Sequence, residues 1–192
     1  MADSRPGKWE RAARALAGSV PAVTGQRRGV ALEAGRGAGS AGKREQMIRR
    51  ADLSDADPIT EVFLASRAVA MPYLPRLYDD AQTRAWIVHV VLPGCATWVA
   101  ESPAGETLGF AALDGDVLEH LYLRPDVRRQ GIGTALLEQV RQAAPGRLSL
   151  RVFTRNTAAR SFYERHGFRP VDEDDGSRNE ENEPDMTYAW QP

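Results

Sequence analysis

The sequence predicts an α/β domain with a mixed, mostly antiparallel central sheet flanked by helices. Three observations support this prediction. Extended and helical patterns follow one another as strand, two helices, a three-stranded meander, helix, strand, helix and closing hairpin, an order that excludes a doubly wound fold. Asp114-Gly115 separates two apolar runs, and Asp-Gly favours a hairpin turn. The second of these runs leads through a basic turn with two glycines directly into a helix.

The first 45 residues differ from the rest of the chain. Residues 1–44 hold nine Lys and Arg against three Asp and Glu, a net charge of +6, whereas residues 45–192 hold sixteen against twenty-three, a net of −7. A Gly-rich segment with few large apolar side chains cannot offset the entropy lost on ordering. We predict a basic, flexible extension over 1–45, one domain over 46–192, and Met47 as a candidate native start. A nucleic-acid or membrane arm, a targeting peptide and a dispensable linker remain open for the extension.

Caps and breaks define the elements before the meander. Residues 47–51 are typical of a short strand. Ser54 or Asp55 can cap the first helix, and the proline-rich segment 71–75 ends it.

A second helix starts at residues 79–80 and ends at 93–94, and a strand follows over 96–100. Residues 108–113 and 117–123 are the two arms of the hairpin. A strict period of two divides the second arm into two faces: one with Val117, Glu119, Leu121 and Leu123, the other with Leu118, His120 and Tyr122.

The remaining elements follow the same logic. A helix over 132–143 is followed by a strand over 148–152. Asn156 can cap the next helix, and Gly167 occupies its C-terminal left-handed position. Residues 168–171 and 186–190 predict the closing hairpin, with eight acidic residues and one arginine between its arms.

The turn between strand and helix, Arg128-x-x-Gly131-x-Gly133, is typical of an anion site. The first N–H groups of a helix lack internal partners, and glycines let an anion approach them. The three-glycine dinucleotide spacing and the Gly-Lys-Ser/Thr of nucleotide triphosphatases are both absent from the sequence. A diphosphate that is held and not hydrolysed, as in coenzyme A, fits this pattern.

Residues 121–134, Leu-Tyr-Leu-Arg-Pro-x-x-Arg-x-x-Gly-x-Gly-Thr, resemble the acetyl-CoA-binding motif of the GNAT acetyltransferase superfamily. Residues 156–168, Asn-x-x-Ala-x-x-Phe-Tyr-Glu-x-x-Gly-Phe, resemble the second half of its signature. The resemblance covers about residues 46–191. It implies the GNAT fold and an N-acetyltransferase in which a primary amine attacks acetyl-CoA directly in a ternary complex.

The resemblance also implies the donor site. The backbone of Leu121 and Leu123 would pair with the pantetheine arm in a gap between splayed strands. Amides from Arg128 to Thr134 would hold the diphosphate, and Asn156 would contact pantetheine. The predicted acetyl-CoA-binding residues are Leu121, Leu123, Arg128, Arg129, Gln130, Gly131, Ile132, Gly133, Thr134 and Asn156.

Two catalytic residues are predicted. The resemblance places Tyr163 as the general acid that protonates the departing thiolate; without it, Tyr163 would be an aromatic residue of a helix stripe. A free amine with a pKa near 10 is mostly charged, so a general base is expected. Glu119 is our candidate for this base, and the alternative is that Glu119 is an ordinary strand carboxylate without a catalytic role. His120, on the other face of the strand, is the alternative base.

The resemblance implies that residues 71–79 and 172–185 flank the acceptor, a small-molecule or peptide amine. The acidic loop could attract a cationic amine or be merely solvated, and residues 71–75 could line a pocket or only bridge two helices. Arg151 occupies the position, on the strand before Asn156, where relatives that acetylate ribosomal-protein N-termini carry an acid, which puts peptide N-terminal acetylation in doubt.

A second hypothesis is an acyl-CoA-binding regulatory module whose basic extension binds nucleic acid; under the first, neither nucleic acid nor membrane is an expected partner. Cys95 is the single cysteine, which excludes an intramolecular disulfide and favours a cytoplasmic location. The three histidines are scattered, so no metal is predicted. The oligomeric state stays open, with a homodimer as one option.

Overall fold

A computed structural model describes residues 46–192, so the predicted extension lies outside the described residues. The strands are β1 (Met47–Arg50), β2 (Ala96–Glu101), β3 (Thr107–Asp114), β4 (Val117–Leu123), β5 (Leu148–Phe153), β6 (Arg169–Asp174) and β7 (Asp185–Trp190). Within this range they form one seven-stranded sheet in the order β1-β2-β3-β4-β5-β7-β6. Its neighbouring strands are antiparallel except β4 and β5, which are parallel. The predicted mixed, mostly antiparallel sheet is confirmed.

The helices are α1 (Ala56–Ala70), α2 (Asp80–Trp86), α3 (Ile132–Ala143) and α4 (Thr157–Arg165). The sequence predicts one regular helix from residue 80 to residue 94, but α2 continues through a π-helical turn, Ile87–Val91, into a last turn, Leu92–Gly94. The wider turn ends two residues before Pro93, whose ring would clash with a carbonyl four residues earlier in a regular α-helix.

Two hydrophobic clusters cover opposite faces of the sheet. Alternate residues of β3 separate them, since Phe110 belongs to one cluster and Ala111 to the other. The first cluster packs under α1 and α2 around Ile59 and Trp86. The second packs under α3 and α4 around Leu136. Each face of the sheet is therefore buried by its own pair of helices.

A β-bulge breaks the predicted alternation on β4. Ala112 lies opposite His120, but Leu113 lies opposite Leu118, so Glu119 is an extra residue in the ladder. Leu118 consequently packs in the cluster under α3 and α4, the same one that Leu121 packs against. The predicted grouping of Leu118 with His120 on one face is wrong, because a strict period of two holds only without a bulge.

The predicted cap of α1 also needs correction. Asp55 occupies the N-cap position, but its side chain makes no cap hydrogen bond. Arg49 donates two hydrogen bonds to its carboxylate, of 2.7 and 2.8 Å, because a bidentate charged pair is stronger than a cap. The cap of α2 is confirmed, since the Asp79 carboxylate accepts from the Gln82 N–H at 2.8 Å. The closing hairpin is longer than predicted, with β6 reaching Asp174.

Candidate functional site

The site is centred on a gap between β4 and β5. In the part of the chain that the structure describes, their ladder has a single residue pair, Val117 and Ser149. The Ser149 N–H donates to the Asp116 carbonyl at 2.9 Å, and the two strands diverge beyond this point. The cleft that results has a volume of about 1060 Å³ and is bordered by residues of both strands.

The edge of β4 presents free backbone groups to this gap. The Arg124 N–H donates to Leu108 of β3 at 2.9 Å. Because N–H groups alternate in direction along a strand, those of Leu121 and Leu123 point the other way, toward β5. Gly109 allows the close approach of Leu123, since a Cβ at this glycine would lie 2.4 Å from Leu123 Cδ2. The gap therefore has the open strand edge that an extended ligand needs.

The basic turn lies at the start of α3, next to the gap. Gly131 is the N-cap with a φ of 86°, and Arg129 has a φ of 63°. The first helical hydrogen bond runs from Ala135 to the Gly131 carbonyl, so the N–H groups of the first turn have no partner within the helix. The turn contains the backbone of the segment from Arg128 to Thr134, for which diphosphate binding is predicted. It lies close to β4, since the Leu123 side chain is 3.4 Å from the position of a Cβ at Gly133.

The side chain of Arg128 points away from the predicted diphosphate site. Its backbone is in the turn, but its guanidinium reaches α1, where it donates to the Ser66 carbonyl and hydroxyl at 3.4 Å. The Gln130 amide donates to the Asp126 carbonyl at 3.5 Å. Sequence reasoning missed His166, whose Nε2 lies 3.1 Å from the Thr134 hydroxyl in the first turn of α3.

Asn156 is the N-cap of α4, the helix that follows β5, and Tyr163 lies within this helix. The Asn156 side chain caps the helix by accepting from the Ala159 N–H at 3.2 Å, as predicted. Tyr163 is buried, with its ring against Phe162 and Phe168. Burial raises the pKa of its hydroxyl above the ordinary range, and proximity to Tyr122 adds to this. The hydroxyl is therefore protonated at neutral pH.

In a regular strand, Glu119 and His120 would lie on opposite faces. The bulge interrupts this alternation, and both residues border the large cleft. His120 is buried among aromatic rings, with centroids at 5.1 Å from Trp86, 6.1 Å from Tyr122 and 6.2 Å from Phe63. Glu119 is only half-buried. Both residues also border a small cavity of about 140 Å³ beside the π-helical turn.

The predicted acceptor segments form two walls of the cleft and are tied together. Tyr78 donates to Glu180 at 2.8 Å, and Arg67 of α1 pairs with Glu181 at 2.8 Å. On the outer side, Arg155 lies over the Tyr73 ring at 4.0 Å. These partners are about 80 to 115 positions apart in the sequence, so no local pattern could reveal them. Of the predicted segment 71–75, the residues that line the cleft are Met71, Pro72, Leu74 and Pro75.

The acidic loop is less free than its composition predicts. Besides the two glutamates tied to the other wall, the Asp185 carboxylate accepts from Asn179 at 3.0 Å, and Arg178 pairs with Asp172 at 3.0 Å. Much of its charge is thus engaged by neighbouring side chains. Between residues 46 and 192, no cluster of His, Cys, Asp and Glu is arranged as a metal site. No helix in this range has the length and apolar character to cross a bilayer.

Sequence comparison finds two informative relatives. A family model described as acetyltransferase (GNAT) domain matches residues 93–170. Peptidyl-lysine N-acetyltransferase YjaB of Salmonella typhimurium is 34% identical over 122 residues, which cover 64% of this chain and 82% of that protein. Peptidyl-lysine N-acetyltransferase YiaC of Escherichia coli is 32% identical over 133 residues, 66% of this chain and 85% of that protein.

Solved structures share the fold. Apo YjaB from Escherichia coli superposes with a TM-score of 0.65 at 25% identity, covering 76% of this chain and 97% of that one. PaiA N-acetyltransferase of Thermoplasma acidophilum, solved with coenzyme A, has a TM-score of 0.59 at 20% identity, covering 77% and 99%. The second likeness supports the architecture alone.

Proposed function

Because the chain belongs to the GNAT family of acetyltransferases, we propose that it transfers the acetyl group of acetyl-CoA to the side-chain amine of a peptide lysine. The chain is an N-acetyltransferase, and acetyl-CoA is its co-substrate. The peptide lysine as acceptor is supported by both relatives, which are peptidyl-lysine N-acetyltransferases.

One observation carries the proposal: the gap between β4 and β5 joins a site for the donor to a cleft for the acceptor. The donor side has the open edge at Leu121 and Leu123 and the unpaired amides at the start of α3. The acceptor side is the large cleft under α1 and α2. A thioester laid through the gap would face an amine that enters the cleft.

In the donor site, pantetheine pairs with Leu121 and Leu123 as one further strand. The amides between Arg128 and Thr134, with the partial positive charge of the helix start, hold the diphosphate. Of the two arginine side chains of the turn, Arg129 is the one that adds charge, because Arg128 reaches Ser66 instead. The Asn156 carboxamide caps α4 with its oxygen and keeps its NH₂ group for the ligand.

The reaction is a direct transfer. The amine nitrogen attacks the thioester carbonyl, a C–N bond forms, the C–S bond breaks, and no covalent bond to the enzyme is made. Glu119 accepts the proton that the amine loses, directly or through water. Tyr163 gives its proton to the departing thiolate, and burial keeps that proton in place beforehand.

Glu119 suits the role of base better than His120. A base must pass its proton on to solvent after each turnover. Glu119 is half-buried at the cleft, whereas His120 is 7% exposed and surrounded by aromatic rings. His120 is therefore better placed to shape the cleft than to exchange protons.

The test is acetylation of lysine peptides by the full chain, followed by thiol release and by mass spectrometry of the acetylated site. We expect Glu119→Gln to lower kcat/KM by about 10²-fold at neutral pH, with partial recovery at high pH as the amine deprotonates. Glu138→Gln, an exposed site on α3, is the matched control. If the full chain acetylates none of the lysine peptides, the acceptor assignment is wrong. If Glu119→Gln keeps full activity, Glu119 is not the general base.

A further inference from the structure

The cleft contains one arginine that differs from the others. Among the residues that border it are Arg67, Arg76, Arg151 and Arg178. Three of these are ion-paired: Arg67 with Glu181, Arg76 with Asp80, and Arg178 with Asp172. Arg151 has neither an ion-pair partner nor a side-chain hydrogen-bond partner within residues 46–192. Its charge is therefore available to a ligand in the cleft.

Two residues with hydroxyl groups are neighbours of Arg151 on the same face of the sheet. Ser149 precedes Arg151 by two positions on β5, and Thr187 lies directly opposite it on β7. Residues directly opposite in a sheet have Cβ atoms about 5 Å apart. Both hydroxyls border the cleft, and neither has a side-chain hydrogen-bond partner in the described part of the chain. A guanidinium with two hydroxyl donors on neighbouring positions of the sheet is suited to a carboxylate.

The orientation of β5 directs this group toward the acceptor and away from the donor. Leu150 and Val152 are buried in the cluster under α3 and α4, whereas Arg151 is exposed on the other face. Glu119 on β4 and Arg151 on β5 each lie two residues beyond the Val117–Ser149 pair, on opposite sides of the gap. At about 3.3 Å per residue, Arg151 is about 7 Å past the point of divergence, and Glu119 is slightly less far because it lies in the bulge.

We propose that Arg151, with the hydroxyls of Ser149 and Thr187, binds a carboxylate that the acceptor carries close to its reactive amine. The inference rests on the proposed function and narrows it. In a peptide, the carboxylate is an acidic side chain next to the acetylated lysine. The same chemistry is offered by the C-terminal carboxylate of a peptide that ends in lysine, and by free lysine.

Paired acceptors test the inference on the full chain. The first pair carries Glu or Gln beside the same lysine. The second ends in lysine with a free or an amidated carboxylate, and the third is free lysine against its amide. We expect the wild type to prefer the carboxylate member of at least one pair by about tenfold in kcat/KM, mainly through KM. The preferred pair identifies the source of the carboxylate.

Variants connect this preference to Arg151. Arg151→Gln is expected to abolish the preference, and Arg151→Glu to reverse it toward peptides with Lys beside the acceptor. Arg169→Gln, exposed on β6 and away from the cleft, is the matched control and should keep the wild-type preference. Thermal melting verifies that each variant is folded.

The two proposals fail in different ways. Equal rates for both members of every pair, or a preference that survives in Arg151→Gln, would overturn the carboxylate site and leave lysine acetylation standing. Absence of acetylation on every acceptor would overturn the proposed function and this inference with it.

Discussion

Tyr163 and Tyr188 are both buried tyrosines of the core beneath α4, but their hydroxyls have different surroundings. The Tyr188 hydroxyl donates to Glu164 at 2.8 Å and accepts from Arg160 at 3.2 Å. The Tyr163 hydroxyl makes no hydrogen bond within residues 46–192. A hydroxyl that donates its proton to a reacting group has no need of an internal hydrogen bond, whereas a hydroxyl that is hydrogen-bonded within the fold contributes to stability.

We therefore predict opposite effects for the two Phe variants. Tyr163→Phe should lower kcat by about 10²-fold with little change in Tm, because it removes a proton donor and no internal hydrogen bond. Tyr188→Phe should lower the free energy of unfolding by about 1–3 kcal/mol and leave kcat nearly unchanged. Steady-state kinetics and urea denaturation measure both. Equal kinetic losses in the two variants would contradict the role of Tyr163.

The same assignment has a consequence for pH. Because burial raises the pKa of Tyr163, the protonated form that donates persists as pH rises. The kcat profile should then show no descending limb from this hydroxyl up to about pH 10. A descending limb near pH 8 that disappears in Tyr163→Phe would contradict a raised pKa for the Tyr163 hydroxyl.

Gly109 determines how closely β4, which borders the gap, can approach β3. A Cβ there would lie 2.4 Å from Leu123 Cδ2 and 2.7 Å from the Tyr122 carbonyl oxygen, and the second contact is with backbone. Gly109→Ala must therefore displace β4. We predict a loss of about 1–3 kcal/mol in the free energy of unfolding and a raised KM for acetyl-CoA. Gly146→Ala, whose Cβ would meet nothing within 4 Å, is the control.

At the scale of elements, Arg49 joins two strands to the start of a helix. It lies on β1 and pairs with Glu101 of β2 at 2.5 Å and with Asp55 at 2.7 Å. Asp55 is 4% exposed, so the loss of its charge would remove one of the two carboxylate partners of Arg49 at a buried position. This cluster holds the sheet edge against α1, which carries part of the cleft wall.

We predict that Asp55→Asn lowers the free energy of unfolding by about 2 kcal/mol at pH 7. Hydrogen bonds from Arg49 lower the pKa of Asp55 in the folded state. The carboxylate therefore stabilises the fold above its unfolded-state pKa of about 4, and the effect is lost as pH falls through the folded pKa. Denaturation at pH 7 and pH 3 should show the difference shrinking in acid. Asp57→Asn, an exposed partner of Arg84, should cost about 0.5 kcal/mol or less.

What the sequence could predict follows from the range of the interactions. The cap at Asn156, the left-handed Gly167 and the order of elements depend on neighbours within a few residues, and these predictions are confirmed. The bulge beside Glu119 and the divergence of β4 from β5 depend on how strands pair, which no local pattern contains. The ties across the cleft, such as Tyr78 to Glu180, depend on residues about 100 positions apart.

At the scale of the molecule, the gap divides the sheet into two parts. Strands β1 to β4 and strands β5 to β7 share one residue pair, Val117 with Ser149, within the described chain. Elsewhere the two parts meet through the cluster under α3 and α4. A ligand that fills the gap would contact both parts and complete the hydrogen bonding of the inner edge of β4.

This gives a prediction that separates the strand edge from the diphosphate turn. With coenzyme A bound, hydrogen exchange of the Leu121 and Leu123 amides should slow at least tenfold, because they point into the gap and would then donate to pantetheine. The Arg124 amide, bonded to Leu108, should exchange slowly with or without ligand. Adenosine 3′-phosphate 5′-diphosphate, which keeps the diphosphate but lacks pantetheine, should leave Leu121 and Leu123 unprotected even at saturation. Equal protection by both ligands would mean that stabilisation of the whole fold, and not pairing along β4, slows the exchange.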